Sequence, residues 1–145
     1  MADKGGGILQ ENIFFMAGAL ARKLSTEADE AFATVGLSSS HTLLLLLIRQ
    51  EPGIRPSELA DKLHLKPSTI TRLVDKLERR QLVEKESQGR ATSIVCTDEG
   101  RNEAVKIEQK WTDLLDEKRE ELGDRYVEVL SEMIANALDT LSTTK

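Results

Sequence analysis

Ser68, Thr69, Arg72, Lys76 and Arg79 follow one another at steps of one, three and four residues, which on a helix aligns them along one side. Hydroxyls and cations in such a row suit contact with nucleic acid. Hydroxyls bond phosphate oxygens or base edges, and the planar fork of an arginine matches the O6 and N7 acceptors of guanine. Arg72 is the best candidate for reading a base, and Lys76 and Arg79 for holding phosphate. Lys66 just before the run, Thr71 within it and Arg90 further on complete the set of candidate contacts. The opposite side of the same stretch carries Ile70, Leu73, Val74 and Leu77, an apolar stripe for burial. Taken alone, this is also how an ordinary solvated helix face looks, so the neighbouring elements must decide.

Presenting such a face requires a second helix crossing behind it. Pro56–Leu63 and 67–80 read as two helices joined by a tight turn at His64-Leu65-Lys66. A close, steep crossing needs a small residue; Ala60 supplies it, with Leu59 and Leu63 alongside. Pro67 fits a first helical turn, where no backbone donor is missed. Leu82 to Lys85 and Ala91 to Cys96 then read as two strands around Ser87-Gln88-Gly89, a hairpin with glycine at its tip. A helix pair followed at once by a hairpin is the order of a winged helix-turn-helix, and Arg90 lies where a wing tip would reach a minor groove.

The flanks are helical. Ile13, Met16, Ala17, Leu20, Leu24, Ala28 and Ala31 trace one stripe of a helix from about Ile8 to Val35, with Gly36 as a left-handed cap. Ser38, Ser39 or Ser40 can cap a second helix carrying Leu43 to Ile48. That helix is apolar all round and is expected in the core, closed by Glu51-Pro52-Gly53. Thr97 can cap a helix opened by Asp98, Glu99 and Gly100, Gly123 breaks it, and Tyr126 to Leu141 mark a last amphipathic helix. The expected fold is mainly α with a small β-hairpin wing: a winged helix-turn-helix module over 38–97 between long N- and C-terminal dimerisation helices, 8–36 and 98–143. These arms carry more apolar surface than one small core can bury, which predicts a homodimer.

The chain of 145 residues has a net charge of −5, which is unfavourable for a nucleic-acid partner until its distribution is considered. Between Ile54 and Val95 nine cations face six anions, a net +3 that leaves −8 for the flanks. No apolar run approaches the length of a membrane span, the first seven residues lack the apolar stretch of a secretory signal, and a single cysteine fits a reducing compartment; a cytoplasmic protein is expected. Cys96 reads as a small buried hydrophobe, His41 as a helix-start residue and His64 as part of the turn. Two histidines and one cysteine make a metal site or a catalytic centre improbable. There is no nucleophile elbow and no phosphate-cradling glycine loop, so neither enzyme activity nor a cofactor is expected. Trp111, Phe14, Phe15 and Phe32 lie on helical stripes and read as core or dimer packing, a ligand pocket being the other use for them. The competing function is a winged-helix protein-interaction module without specific DNA binding, which an uncharged or acidic face would favour.

Leu59-Ala60-Asp61-Lys62-Leu63, the run Ser68 to Glu78, Leu82-Val83-Glu84 and Thr97-Asp98-Glu99-Gly100, in that order, resemble the MarR family of bacterial regulators. The resemblance covers the central half closely, and the flanking helices match in order and length. It implies a homodimer whose first and last two helices form the dimerisation region, with two winged modules on double-stranded DNA at a palindromic operator. It further implies a transcriptional repressor released by a small ligand, often aromatic or phenolic, bound at the junction of the two regions. The sequence departs from the family pattern in the wing, which is shorter and has Gln88 where an aspartate usually steadies the wing arginine. It also has Gln81 and His64 at positions where glycine is common, although histidine tolerates a left-handed backbone better than most residues. Redox-sensing relatives carry their reactive cysteine in the first helix, and this first helix has none.

Overall fold

In the computed structural model, which describes residues 7–143, Asn12 sets the start of the first long helix. Instead of one helix from Ile8 to Val35 there are two, α1 (Gly7–Gln10) and α2 (Ile13–Phe32). Asn12 is extended, and its side chain accepts a hydrogen bond from the Phe15 amide at 3.0 Å. A short amide side chain bonding nearby backbone ends one helix and caps the next, even where the apolar stripe runs on. The residues before Gly7, read above as lacking a signal, lie outside the described residues.

A 3₁₀ turn, Ala33–Val35, and Gly36 at φ 72° close α2 as a left-handed cap. Ser38 then caps α3 (Ser39–Gln50) in a reciprocal box with His41: the Ser38 oxygen accepts from the His41 amide, and His41 Nδ1 accepts from the Ser38 amide, both at 3.3 Å. Asp29 on α2 takes the next free donor, the Ser39 amide, at 2.8 Å. Leu44, Leu45 and Ile48 are fully buried, but Leu43 is 41% exposed. The expectation of a helix buried all round therefore needs correcting. At 100° per residue successive leucines point in every direction, and the module covers only part of the circumference.

α4 (Pro56–Leu63) and α5 (Pro67–Arg79) follow, then an antiparallel hairpin of β1 (Val83–Gln88) and β2 (Ala91–Cys96). Val83 pairs with Cys96 and Gln88 with Ala91, so the ladder runs to a two-residue tip of Gly89 and Arg90, further than the expected first strand. Gly89 has φ 65°, the left-handed value that a two-residue hairpin requires at its first central position. Ile54 bridges to Ile94: the Ile94 amide donates to the Ile54 carbonyl and the Gly53 amide to the Ile94 carbonyl, each at 3.0 Å, which ties the loop after α3 to the hairpin. Phe32, Leu44, Leu45, Ile48, Leu59, Ile70, Leu77, Val83, Ile94 and Ile107 form one core.

The root of the hairpin is closed by α6 (Asp98–Leu122), which Thr97 caps by accepting from the Gly100 amide at 2.9 Å. The same hydroxyl donates to the Gln81 carbonyl at 2.7 Å, and the Thr97 amide donates to the Leu82 carbonyl at 3.0 Å. Gly100 packs so closely that an added Cβ would lie 1.9 Å from the Leu82 carbonyl oxygen. Gly123, at φ 101°, separates α6 from α7 (Asp124–Thr143). The chain divides into two compact units after Ile107. Within the second, Leu115, Tyr126, Met133, Ile134, Leu138 and Leu141 are exposed.

Among the described residues no single helix is long and apolar enough to cross a membrane. Ile13–Val35 and Ser39–Gln50 reach that composition only together, across a 73° bend, and Leu44, Leu45 and Ile48 belong to the core.

Candidate nucleic-acid interface

α5 is pinned from behind by Ile70, Val74 and Leu77, all buried, with Leu73 half-buried beside them. Leu59 and Ala60 of α4 are buried at the crossing, as the small-residue argument requires. Lys66, extended, precedes the helix and Pro67 opens it. Ser68, Thr71, Arg72 and Arg79 are exposed on its surface, while Thr69 and Lys76 are half-buried at the edges. Thr71 stands apart from its neighbours. Its hydroxyl donates to the Pro67 carbonyl at 3.1 Å, and it lines a cleft of about 180 Å³ between α5 and the hairpin, with Pro56, Val74, Lys85 and Thr92. A hydroxyl bonded back to its own helix has only acceptor capacity left, so Ser68 and Thr69 are better suited to phosphate oxygens.

Charge counting treated the cations of the middle segment alike, but their environments separate them. Lys62 pairs with Glu51 at 2.8 Å. Lys85 on β1 pairs with Asp75 at 2.8 Å and Glu78 at 3.4 Å on α5; its ammonium is held above the ordinary lysine range by the hydrogen bond to Asp75 first. Arg80, just past the end of α5, donates from Nη1 to the Gly36 carbonyl and from Nη2 to the Val35 carbonyl, each at 3.1 Å. Arg55, Lys66, Arg72, Lys76, Arg79 and Arg90 are left without an ion-pair partner among the described residues. Apart from the wing-tip Arg90 and Arg55 at the start of α4, these are cations of α5 and its first flanking residue. Sequence reasoning did not single out Arg80 or Lys85. Nothing in the string distinguishes Arg80 from Arg79, since only the 100° turn between them sends one outward and the other to the α2 end.

Both ends of α5 are set by left-handed residues other than glycine: His64 (φ 55°) before it and Gln81 (φ 62°) after it. His64 keeps the turn that its tolerance of this conformation allowed. His41 lies at the start of α3 as expected, and its imidazole pKa is lowered from the usual value, by burial first and then by the positive charges of Lys76 and Arg80, against a smaller opposing effect of Asp29. Cys96 is buried, its thiol 3.8 Å from the Leu45 carbonyl, and burial raises its pKa; it packs as a small hydrophobe. Of the aromatic residues of α2, Phe32 is in the core, whereas Phe14 is 89% and Phe15 42% exposed.

Residues 37–88, from just before the α3 cap to the end of β1, match the model of the MarR family. The fold agrees beyond that segment: a MarR protein from Peptoclostridium difficile DA00132 superposes with a TM-score of 0.80 at 21% identity, covering 97% of this chain and 92% of that one. Over residues 37–88 the chain is thus similar to the MarR family. It is also 26% identical over 100 residues to the HTH-type transcriptional repressor MdtR of Bacillus subtilis (strain 168). That match takes in 67% of this chain and 64% of MdtR, so it spans under two-thirds of the relative's length. The repressor CouR bound to a 23-mer DNA duplex superposes with a TM-score of 0.84 at 23% identity, over 94% of this chain and 99% of that one. CouR from Rhodococcus jostii RHA1 bound to p-coumaroyl-CoA does so at 0.78 and 22%, over 97% and 98%. At these identities the structural likenesses establish the winged helix-turn-helix fold of this chain.

Proposed function

We propose that this protein is a transcriptional regulator that binds a palindromic DNA operator as a homodimer and represses until a small ligand releases it. The observation that carries this reading is the unpaired row on α5, where Ser68, Arg72 and Arg79 are exposed while the helix is anchored through Ile70, Val74 and Leu77. Arg72 reads a base edge in the major groove; Ser68, Thr69, Lys66, Lys76 and Arg79 hold phosphates; Arg90 approaches the minor groove. Thr71 contributes less, because its hydroxyl is engaged on its own helix. Exposed apolar residues on α2, α6 and α7, among them Ile13, Phe14, Leu115 and Ile134, support dimer arms over 8–36 and 98–143. DNA and p-coumaroyl-CoA in the CouR structures support duplex DNA and an aromatic ligand as partners. Such a regulator works in the cytoplasm.

Footprinting on the promoter beside its own gene tests the reading. A protected site with two-fold symmetry is expected, with affinity falling steeply as salt rises. Binding that ignores sequence at moderate salt overturns it in favour of a docking module, and sedimentation as a monomer near 16 kDa at micromolar concentration overturns the dimer.

A further inference from the structure

We infer that Arg80 is a positioning residue for DNA reading: it ties the far end of α5 to the joint where α2 ends, and so sets how the recognition face is carried relative to the arm. The inference rests on the regulator reading above.

Arg80 closes α5, and its guanidinium reaches across 44 and 45 residues of sequence to the carbonyls of Gly36 and Val35. Those two carbonyls belong to the last turn after α2, where helix geometry leaves acceptors without intrahelical partners. A planar cation with several donors can satisfy two such acceptors at once and complements the negative end of the helix. The fit is close, since a Cβ on Gly36 would lie 3.1 Å from Arg80 Nη1, and Gly36 already needs its left-handed backbone. Two residues further, Ser38 begins the cap of α3, so the joint that receives Arg80 also fixes that helix. On α5, Arg80 follows Arg72 and Lys76 at successive steps of four residues, each turning about 40° further round the helix, so the tether lies beside the proposed DNA contacts and faces the α2 end. In a dimer built through α2, the angle between α2 and α5 determines the separation of the two recognition helices. That separation must match half-sites about one helical turn apart.

The test measures binding to an operator series in which the half-site spacing is changed by one or two base pairs, for the wild type, Arg80→Gln and Arg80→Lys. Circular dichroism checks folding, and amide exchange over 35–38 and 77–82 gives a readout without DNA. Wild type is expected to lose on the order of tenfold in affinity per wrong spacing. Arg80→Gln should bind the best spacing on the order of tenfold more weakly, discriminate spacings by less than about threefold, exchange faster in both segments and keep its salt slope. Arg80→Lys keeps the charge but not the fork, and should behave like Arg80→Gln. A salt slope reduced by about one would make Arg80 a phosphate contact instead. Unchanged spacing discrimination in Arg80→Gln, or full rescue by lysine, would likewise overturn the inference. Wild type without any sequence preference is the separate outcome that removes the regulator reading itself.

Discussion

α5 and the hairpin each carry cations that we propose meet a DNA duplex, but they are held in place by different means. α5 rests on three buried apolar side chains and has its ends set by His64 and Gln81. The outer hairpin is a two-stranded ribbon whose Lys85 leans on Asp75 and Glu78 of α5, and only its base enters the core, through Val83 and Ile94. An isolated ribbon of two strands is marginal in water. The difference bears on how exactly the proposed contacts would read sequence: a side chain discriminates bases only as finely as its backbone is fixed, so in the proposed complex Arg72 would be the stronger reader and Arg90 the weaker.

The first way to break this comparison is at the shared root. In Gly100→Ala the added carbon has no room against the Leu82 carbonyl, and we expect a loss of about 3 kcal/mol of stability, measured by urea unfolding. A loss below ~1 kcal/mol would mean that the start of α6 yields easily and that the root is not what fixes the hairpin. Next in size, Arg72→Ala should cost about 1–3 kcal/mol at one operator base and flatten preference there, whereas Lys76→Ala should weaken all sequences alike; competition binding on a mutated operator set separates the two. Equal profiles for both variants would erase the division between reader and anchor. Smaller again, Lys85→Met removes two exposed ion pairs, with Asp75 and Glu78, together worth about 1 kcal/mol, and its effect on stability should fade with salt. A larger, salt-independent effect would place the hairpin on the same footing as α5.

The smallest effect concerns pH. Because the folded-state pKa of His41 is lowered, the unfolded chain takes up a proton there first as pH falls. Its contribution to stability is therefore present above the ordinary histidine value of 6.5 and is lost as pH drops through the lowered one. His41→Gln can still accept from the Ser38 amide without titrating, and should flatten the slope of stability between pH 7 and pH 5. An unchanged slope would assign it to other groups.

Much of this molecule could be read from the string, for reasons that can be named. The stripe Ile70, Val74, Leu77 has a period, the crossing needs Ala60, and Thr97 with two acids announces a helix start. The break at Asn12 was hidden because the apolar pattern Leu9, Ile13, Met16 continues across it; a local side-chain bond outweighed periodicity. Leu43 misled because an all-leucine run has no face of its own. The candidate contacts were legible as residue types, but their sorting into engaged and unengaged cations was not. Pairings such as Arg80 with Gly36 join positions far apart in sequence, which no spacing reveals.

The two left-handed residues at the ends of α5 matter for divergence among related chains. Glycine would adopt either conformation freely, whereas His64 and Gln81 hold it against a steric cost of about 1–2 kcal/mol each. Each of them sets an exposed polar side chain, an imidazole or a carboxamide, where glycine would leave bare main chain. A paralogue could thus gain or lose a hydrogen-bonding group at either border of α5 by a single exchange, without altering the path of the chain.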